Sequence, residues 1–161
     1  MTFIRFLLLL SLAVWLGALI FFPVVAQTSF EVLPSAHLAG FVVRDSLIKL
    51  HWMGLVCGIV FLICSVIYNH ETLGRARIFA ASHMLIGAML ILTAISQFGI
   101  IPRMDLLRIT AGEIDLFSPS NPIRAQFDSL HAWSVLIEEA VLLLAMIVLY
   151  LTARRWSSPC A

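Results

Sequence analysis

The charged residues of this chain leave four long intervals to apolar ones. No Asp, Glu, Lys or Arg occurs between Arg5 and Glu31, between Lys49 and Glu71, or between Arg77 and Arg103. A fourth interval, Asp128 to Arg154, is broken only by the pair Glu138-Glu139. About 20 apolar residues in a helix cross the hydrocarbon core of a bilayer, and an α-helix satisfies its own backbone there. The pattern predicts an all-α protein, a membrane-spanning four-helix bundle in one transmembrane domain over residues 1–161. The spans fall at about 6–26, 47–69, 78–101 and 128–153, with a long loop between spans three and four.

Composition excludes the alternative. The chain is 61% hydrophobic and 12% charged, where soluble domains sit near 45–50% and roughly 25%. So much apolar surface needs lipid as its solvent, and the lipid bilayer is the first partner implied. A formal net charge of +1 leaves no basic stripe for nucleic acid. A second copy of the chain or a partner membrane protein stays open.

The first span also resembles a secretory signal, with Arg5, a leucine core and the small-x-small run Val24-Val25-Ala26. Its apolar run from Phe6 to Val25 exceeds the usual core of about 7–15 residues, and Phe21-Phe22-Pro23 is a poor approach to a peptidase. An uncleaved anchor is expected. Of the connections, Gln27–Asp45 reads as a turn around Pro34 and a short helix, and Asn69–Arg77 as a short polar loop. Pro102–Phe127 reads as a long connection, its first part, Pro102 to Thr110, an interfacial helix and Ser118-Pro119-Ser120-Asn121-Pro122 a break. Basic residues divide evenly between the two sides, but Arg75 and Arg77 crowd a tight loop and Arg154-Arg155 close the last span directly. These predict both termini on the cytoplasmic side of the inner (plasma) membrane.

Small residues mark close packing. Gly54-x-x-x-Gly58 in span two and Ala13-x-x-x-Gly17 in span one permit near approach of a backbone, within the chain or between two chains. Cys57 and Cys64 share a helix face roughly 10 Å apart along the axis, too far for a disulfide. Cys160 lies in the tail, and the reading for all three is that no disulfide framework exists.

Ionisable groups inside spans cost roughly 2.5–3.5 kcal/mol each at the centre, so they carry the site hypothesis. His131, Ser134 and Glu138 fall on one stripe of span four, because seven helical residues return to within about 20° of the starting direction. Arg44, Lys49 and His51 lie in the same half of span two, Gln97 near that end of span three, and Gln27 at that level in span one. The expected polar site is His131, Ser134, Glu138, His51, Lys49 and Gln97, open to the non-cytoplasmic side. Glu138 has two ways to exist there: paired with a cation from span two (Lys49, His51 or Arg44), or protonated. The bland alternatives are interfacial flanks that snorkel for Arg44, Asp45 and Lys49, and pairing with Asp128 for His131. His51 and His131 come within about one turn in depth, which admits a bis-histidine haem, copper or another metal. No Cys-x-x-Cys, Cys-x-x-Cys-His, His-Glu-x-x-His or glycine-rich phosphate loop is present.

Trp15-Leu16-Gly17, Phe22, Phe30-Glu31-Val32-Leu33-Pro34 and Ala39-Gly40 resemble the first half of the transmembrane protein 205-like family. Phe127-Asp128-Ser129-Leu130-His131-Ala132-Trp133-Ser134 resembles its Phe-x-x-Leu-His-x-x-Ser signature at the head of the last span. The resemblance covers most of the chain and implies a four-helix membrane protein, in bacteria a domain of unknown function. Where that family often carries Asn seven residues after the His, this chain has Glu138. The fold is also distantly similar to copper-resistance D-type and haem-linked protoporphyrinogen oxidase membrane proteins. Three function classes follow: a small binding or assembly module, a small proton-coupled transporter, and a haem- or metal-dependent redox protein. No catalytic motif marks the chain as an enzyme.

Overall fold

The structure, a computed structural model, describes residues 2–73, 81–118 and 120–157. Arg75, Arg77 and Cys160 lie outside them, as do residues 74–77 of the expected polar loop Asn69–Arg77; its first part, residues 69–73, is the end of a helix instead. The elements are α1 (Thr2–Val32), α2 (Ala36–Leu73), α3 (Ala81–Ile95), a π-helical turn (Ser96–Ile100), α4 (Ile101–Ala111), a 3₁₀ turn (Ile114–Leu116) and α5 (Pro122–Ser157). Four helical stretches are long and apolar enough to cross a membrane: Thr2–Val32, Ala36–Glu71, Ala81–Ala111 and Pro122–Arg154. No strand occurs among the described residues. Each stretch packs on the next in sequence, and α5 closes the ring against α3 and α1.

Two connections differ from expectation for local reasons. The region Gln27–Asp45 holds no separate short helix: α1 runs to Val32 and α2 begins at Ala36. Pro34 disfavours helical geometry in Leu33 before it. Ser35 then caps α2, its Oγ accepting from the Leu38 N–H at 3.2 Å. Nor does span three end at residue 101. It continues through the π turn into α4, so the long loop shrinks to residues 112–121.

Pro102 accounts for the π turn. It has no N–H, and its ring crowds the carbonyl four residues earlier. The wider π turn bypasses that crowding, and the Ile101 N–H donates to the Ser96 carbonyl five residues back. Gly112 ends α4 at φ 72°, a left-handed conformation that a Cβ disfavours. Asn121-Pro122 start α5, with Asn121 Oδ1 accepting from the Ile123 N–H at 2.9 Å.

The interior is narrow. Leu12, Trp15, Ile86, Met89, Val141, Ala145 and Val148 are all at most 2% exposed. The Trp15 indole lies across Gly54 and Gly58 of α2, and a Cβ at Gly58 would stand 2.9 Å from the Trp15 ring and 2.6 Å from Leu90 Cδ2. Ala13 and Gly17 do not serve this bundle. Both are exposed, and nothing lies within 4 Å of a Cβ built at Gly17. Leu8, Leu12, Trp15, Leu16 and Leu19 bury the other face of α1, so the small pair points outward.

Candidate functional site

The centre of the site is His51, 1% exposed on α2. Its Nδ1 is 2.9 Å from Gln97 Oε1 on the π turn. Its Nε2 is 2.5 Å from Glu138 Oε1 on α5. An amide oxygen only accepts, so Nδ1 carries a hydrogen and donates to Gln97. One proton then remains between Nε2 and Oε1. Whether imidazolium meets carboxylate or imidazole meets carboxylic acid, the pair is neutral overall. That neutrality spares the bundle the several kcal/mol that an isolated buried charge costs.

A cleft of about 570 Å³ opens beside this pair. One wall comes from α1, including Leu19, Phe22, Pro23, Ala26 and Phe30, and is apolar. The facing wall is the polar stripe of α5: His131, Ser134, Glu138 and Glu139. Seen from Glu138, the 15% exposed side chain holds His51 with one oxygen and borders the cleft. His131 and Glu139 are exposed, and neither has a partner among the described residues. Ser134 is 5% exposed, lines the cleft, and its hydroxyl has no hydrogen-bond partner among the described residues.

The remaining wall is saturated with its own contacts. Arg44 Nε and NH2 donate to the two Asp105 oxygens at 2.5 Å each, a bidentate geometry that fixes both side chains. Its NH1 reaches Asp45 at 2.7 Å. The Arg108 guanidinium lies 5.6 Å from the Phe41 ring centre and 5.0 Å from that of Phe127, a cation–π arrangement.

Of the residues expected from sequence, the fold brings His51, Gln97 and Glu138 into one hydrogen-bonded chain, with Ser134 and His131 on the adjoining cleft wall. Lys49 is not in the site. It is exposed without a partner among the described residues, two residues and about 200° around α2 from His51. Arg44 pairs with Asp105 and Asp45 instead of Glu138. Asp128 faces Arg124 at 3.7 Å, not His131. Gln27 is exposed and donates to Glu31 at 2.9 Å. A haem or metal on His51 would have to displace Gln97 or Glu138, since both ring nitrogens are engaged. No group of three His, Cys, Asp or Glu is placed to hold a metal ion among the described residues. Cys57 and Cys64 are free thiols.

Sequence reasoning missed Asp105, Arg108, the π turn and the α1 wall. One signal was available. Asp105 and Arg108 interrupt the polar half of span three's extension, and Pro102 inside an otherwise helical run calls for a local adjustment.

These features define a class: a multi-pass integral membrane protein with a polar cluster and a cleft inside its helical bundle. A domain of unknown function, DUF4149, matches residues 10–112. That is more than half of the 161 residues, and the chain belongs to this family. No curated protein and no solved structure matches it at a significant level.

Proposed function

We propose that this protein is a small membrane-embedded binding module that holds an amphipathic molecule in the cleft between α1 and α5. One observation carries the reading. A cavity of about 570 Å³ at the level of the spans has an apolar wall on one side and hydrogen-bonding groups on the other. Pockets for small molecules combine those two features, mostly apolar lining with a few placed polar groups. The Gln97–His51–Glu138 chain supports the polar wall and orients Glu138. The reading takes both termini as cytoplasmic, on Arg5 and the Arg154-Arg155 pair, which puts the cleft in the outer half of the inner membrane. The resemblance to transmembrane protein 205-like proteins is in keeping with such a module and adds no chemistry.

A proton-coupled transporter is the second reading, favoured by the proton shared between His51 and Glu138. It ranks lower because Trp15, Ile86, Met89 and Val141 fill the bundle interior.

Equilibrium dialysis of the detergent-solubilised protein against radiolabelled octylamine, octan-1-ol and octanoate tests the binding reading. Saturable binding of at least one, abolished by Ala26→Trp, is expected, because an indole at Ala26 fills the cleft. No saturable binding of any of the three overturns it.

A further inference from the structure

The cleft is asymmetric in charge as well as in polarity. Its lining carries two guanidiniums, Arg44 and Arg108, two imidazoles, His37 and His131, and four carboxylates, Asp105, Asp128, Glu138 and Glu139. Asp105 is consumed by Arg44, and Asp128 faces Arg124. Glu138 commits Oε1 to His51, which leaves Oε2. Glu139 commits nothing among the described residues. The carboxylate without a partner among the described residues is therefore Glu139 on α5, next to Glu138 Oε2 and to a second and independent feature, the Ser134 hydroxyl. The residue is 5% exposed, and its hydroxyl has no partner among the described residues at the cleft wall. Its oxygen is open to the cleft, where a ligand can supply the bond.

We infer that the ligand is an amphiphile bearing a protonated primary amine, its ammonium held by Ser134, Glu138 and Glu139 and its apolar body against α1. This inference rests on the reading of the cleft as a binding site. A primary ammonium has three N–H donors and no acceptor. The α5 wall offers three acceptors at positions 134, 138 and 139, within about one and a half helical turns. A carboxylate ligand would meet repulsion from Glu139, and an alcohol would leave at least one acceptor unfilled. Phe22 and Phe30 line the opposite side and receive the apolar body. An ethanolamine lipid headgroup and a free long-chain amine share this chemistry.

The same dialysis, read for order of affinity, tests the ligand class. Octylamine is expected to bind about tenfold more tightly than octan-1-ol, with octanoate weakest. Octyltrimethylammonium, which keeps the charge and loses the N–H donors, is expected between octylamine and octan-1-ol. Glu139→Gln and Ser134→Ala remove groups that have no partner among the described residues, so melting temperatures in detergent stay within the wild-type range while the preference for the amine shrinks at least about threefold. Equal binding of amine, alcohol and carboxylate, or an amine preference untouched by both substitutions, overturns the ligand class and leaves the binding reading standing. Absence of all binding removes both. Competition by nanodiscs separates the two sources. If phosphatidylethanolamine displaces octylamine and phosphatidylcholine does not, the ligand is the lipid; if neither does, it is a free amphiphile.

Discussion

Nε2 of His51 lies 2.5 Å from Oε1 of Glu138, joining α2 to α5 across 87 residues of sequence. Removing one partner strands the other in a buried position, whereas removing both leaves an apolar contact with only the half-buried Gln97 deprived of its bond. Glu138→Leu alone is expected to cost about 3 kcal/mol, and His51→Leu a similar amount. The double substitution should lose less than their sum by at least about 1 kcal/mol. Denaturation in detergent measures all three, and strictly additive losses would show that the pair is uncoupled.

Trp15 and Gly54 form a second coupled pair. A methyl group at Gly54 collides with Nε1 and Cε2 of the indole, part of a fused ring system that the smaller phenyl ring does not reproduce. Gly54→Ala is expected to destabilise by about 1–3 kcal/mol through overpacking. Trp15→Phe opens a void and also destabilises. Combined, the methyl fills part of the void, and the double variant should melt above the temperature that the two single losses predict together.

Arg44 binds two carboxylates of unequal standing. Asp105 is 23% exposed and bidentate, while Asp45 is 62% exposed and accepts once. Asp105→Ala should therefore cost about 1.5–3 kcal/mol, and Asp45→Ala at most about 1 kcal/mol. Arg44→Lys should behave like Asp105→Ala, because an ammonium cannot reproduce the two-pronged contact. Equal losses at Asp45 and Asp105 in thermal melts would contradict this ranking.

Membrane orientation is open to direct measurement. Reporter fusions after Asn121 and after Arg154 flank α5 and should report opposite sides, with Asn121 outside the cytoplasm. Both reporting the same side would remove α5 as a span. The reverse orientation would invert the leaflet in which the cleft lies.

Much of the architecture was legible without coordinates, because a charge in hydrocarbon is expensive whichever helix carries it. The gaps between Arg5 and Glu31, Lys49 and Glu71, and Arg77 and Arg103 mark spans on that ground alone. Span ends were less legible. Pro102 reads as a helix breaker in one dimension, yet a π turn absorbs it and lets the helix run on to Ala111.

The candidate site divides along the same line. Helical periodicity by itself placed His131, Ser134 and Glu138 on one stripe, since residues on a single helix keep fixed angles to each other. It identified Glu138 as a residue in need of a partner. The choice of His51 over Lys49 or Arg44 was beyond it, because that choice depends on how α2 is rotated about its axis against α5. Packing of Trp15 over Gly54 and Gly58 sets that rotation, and it turns Lys49 outward and His51 inward. The one-residue widening at Ser96–Ile100 likewise aims Gln97, and the α1 wall of the cleft exists only once four helices stand side by side. Sequence determined which groups the membrane would not tolerate alone; tertiary packing decided which of them met, because rotation and tilt belong to helix pairs and not to any one helix.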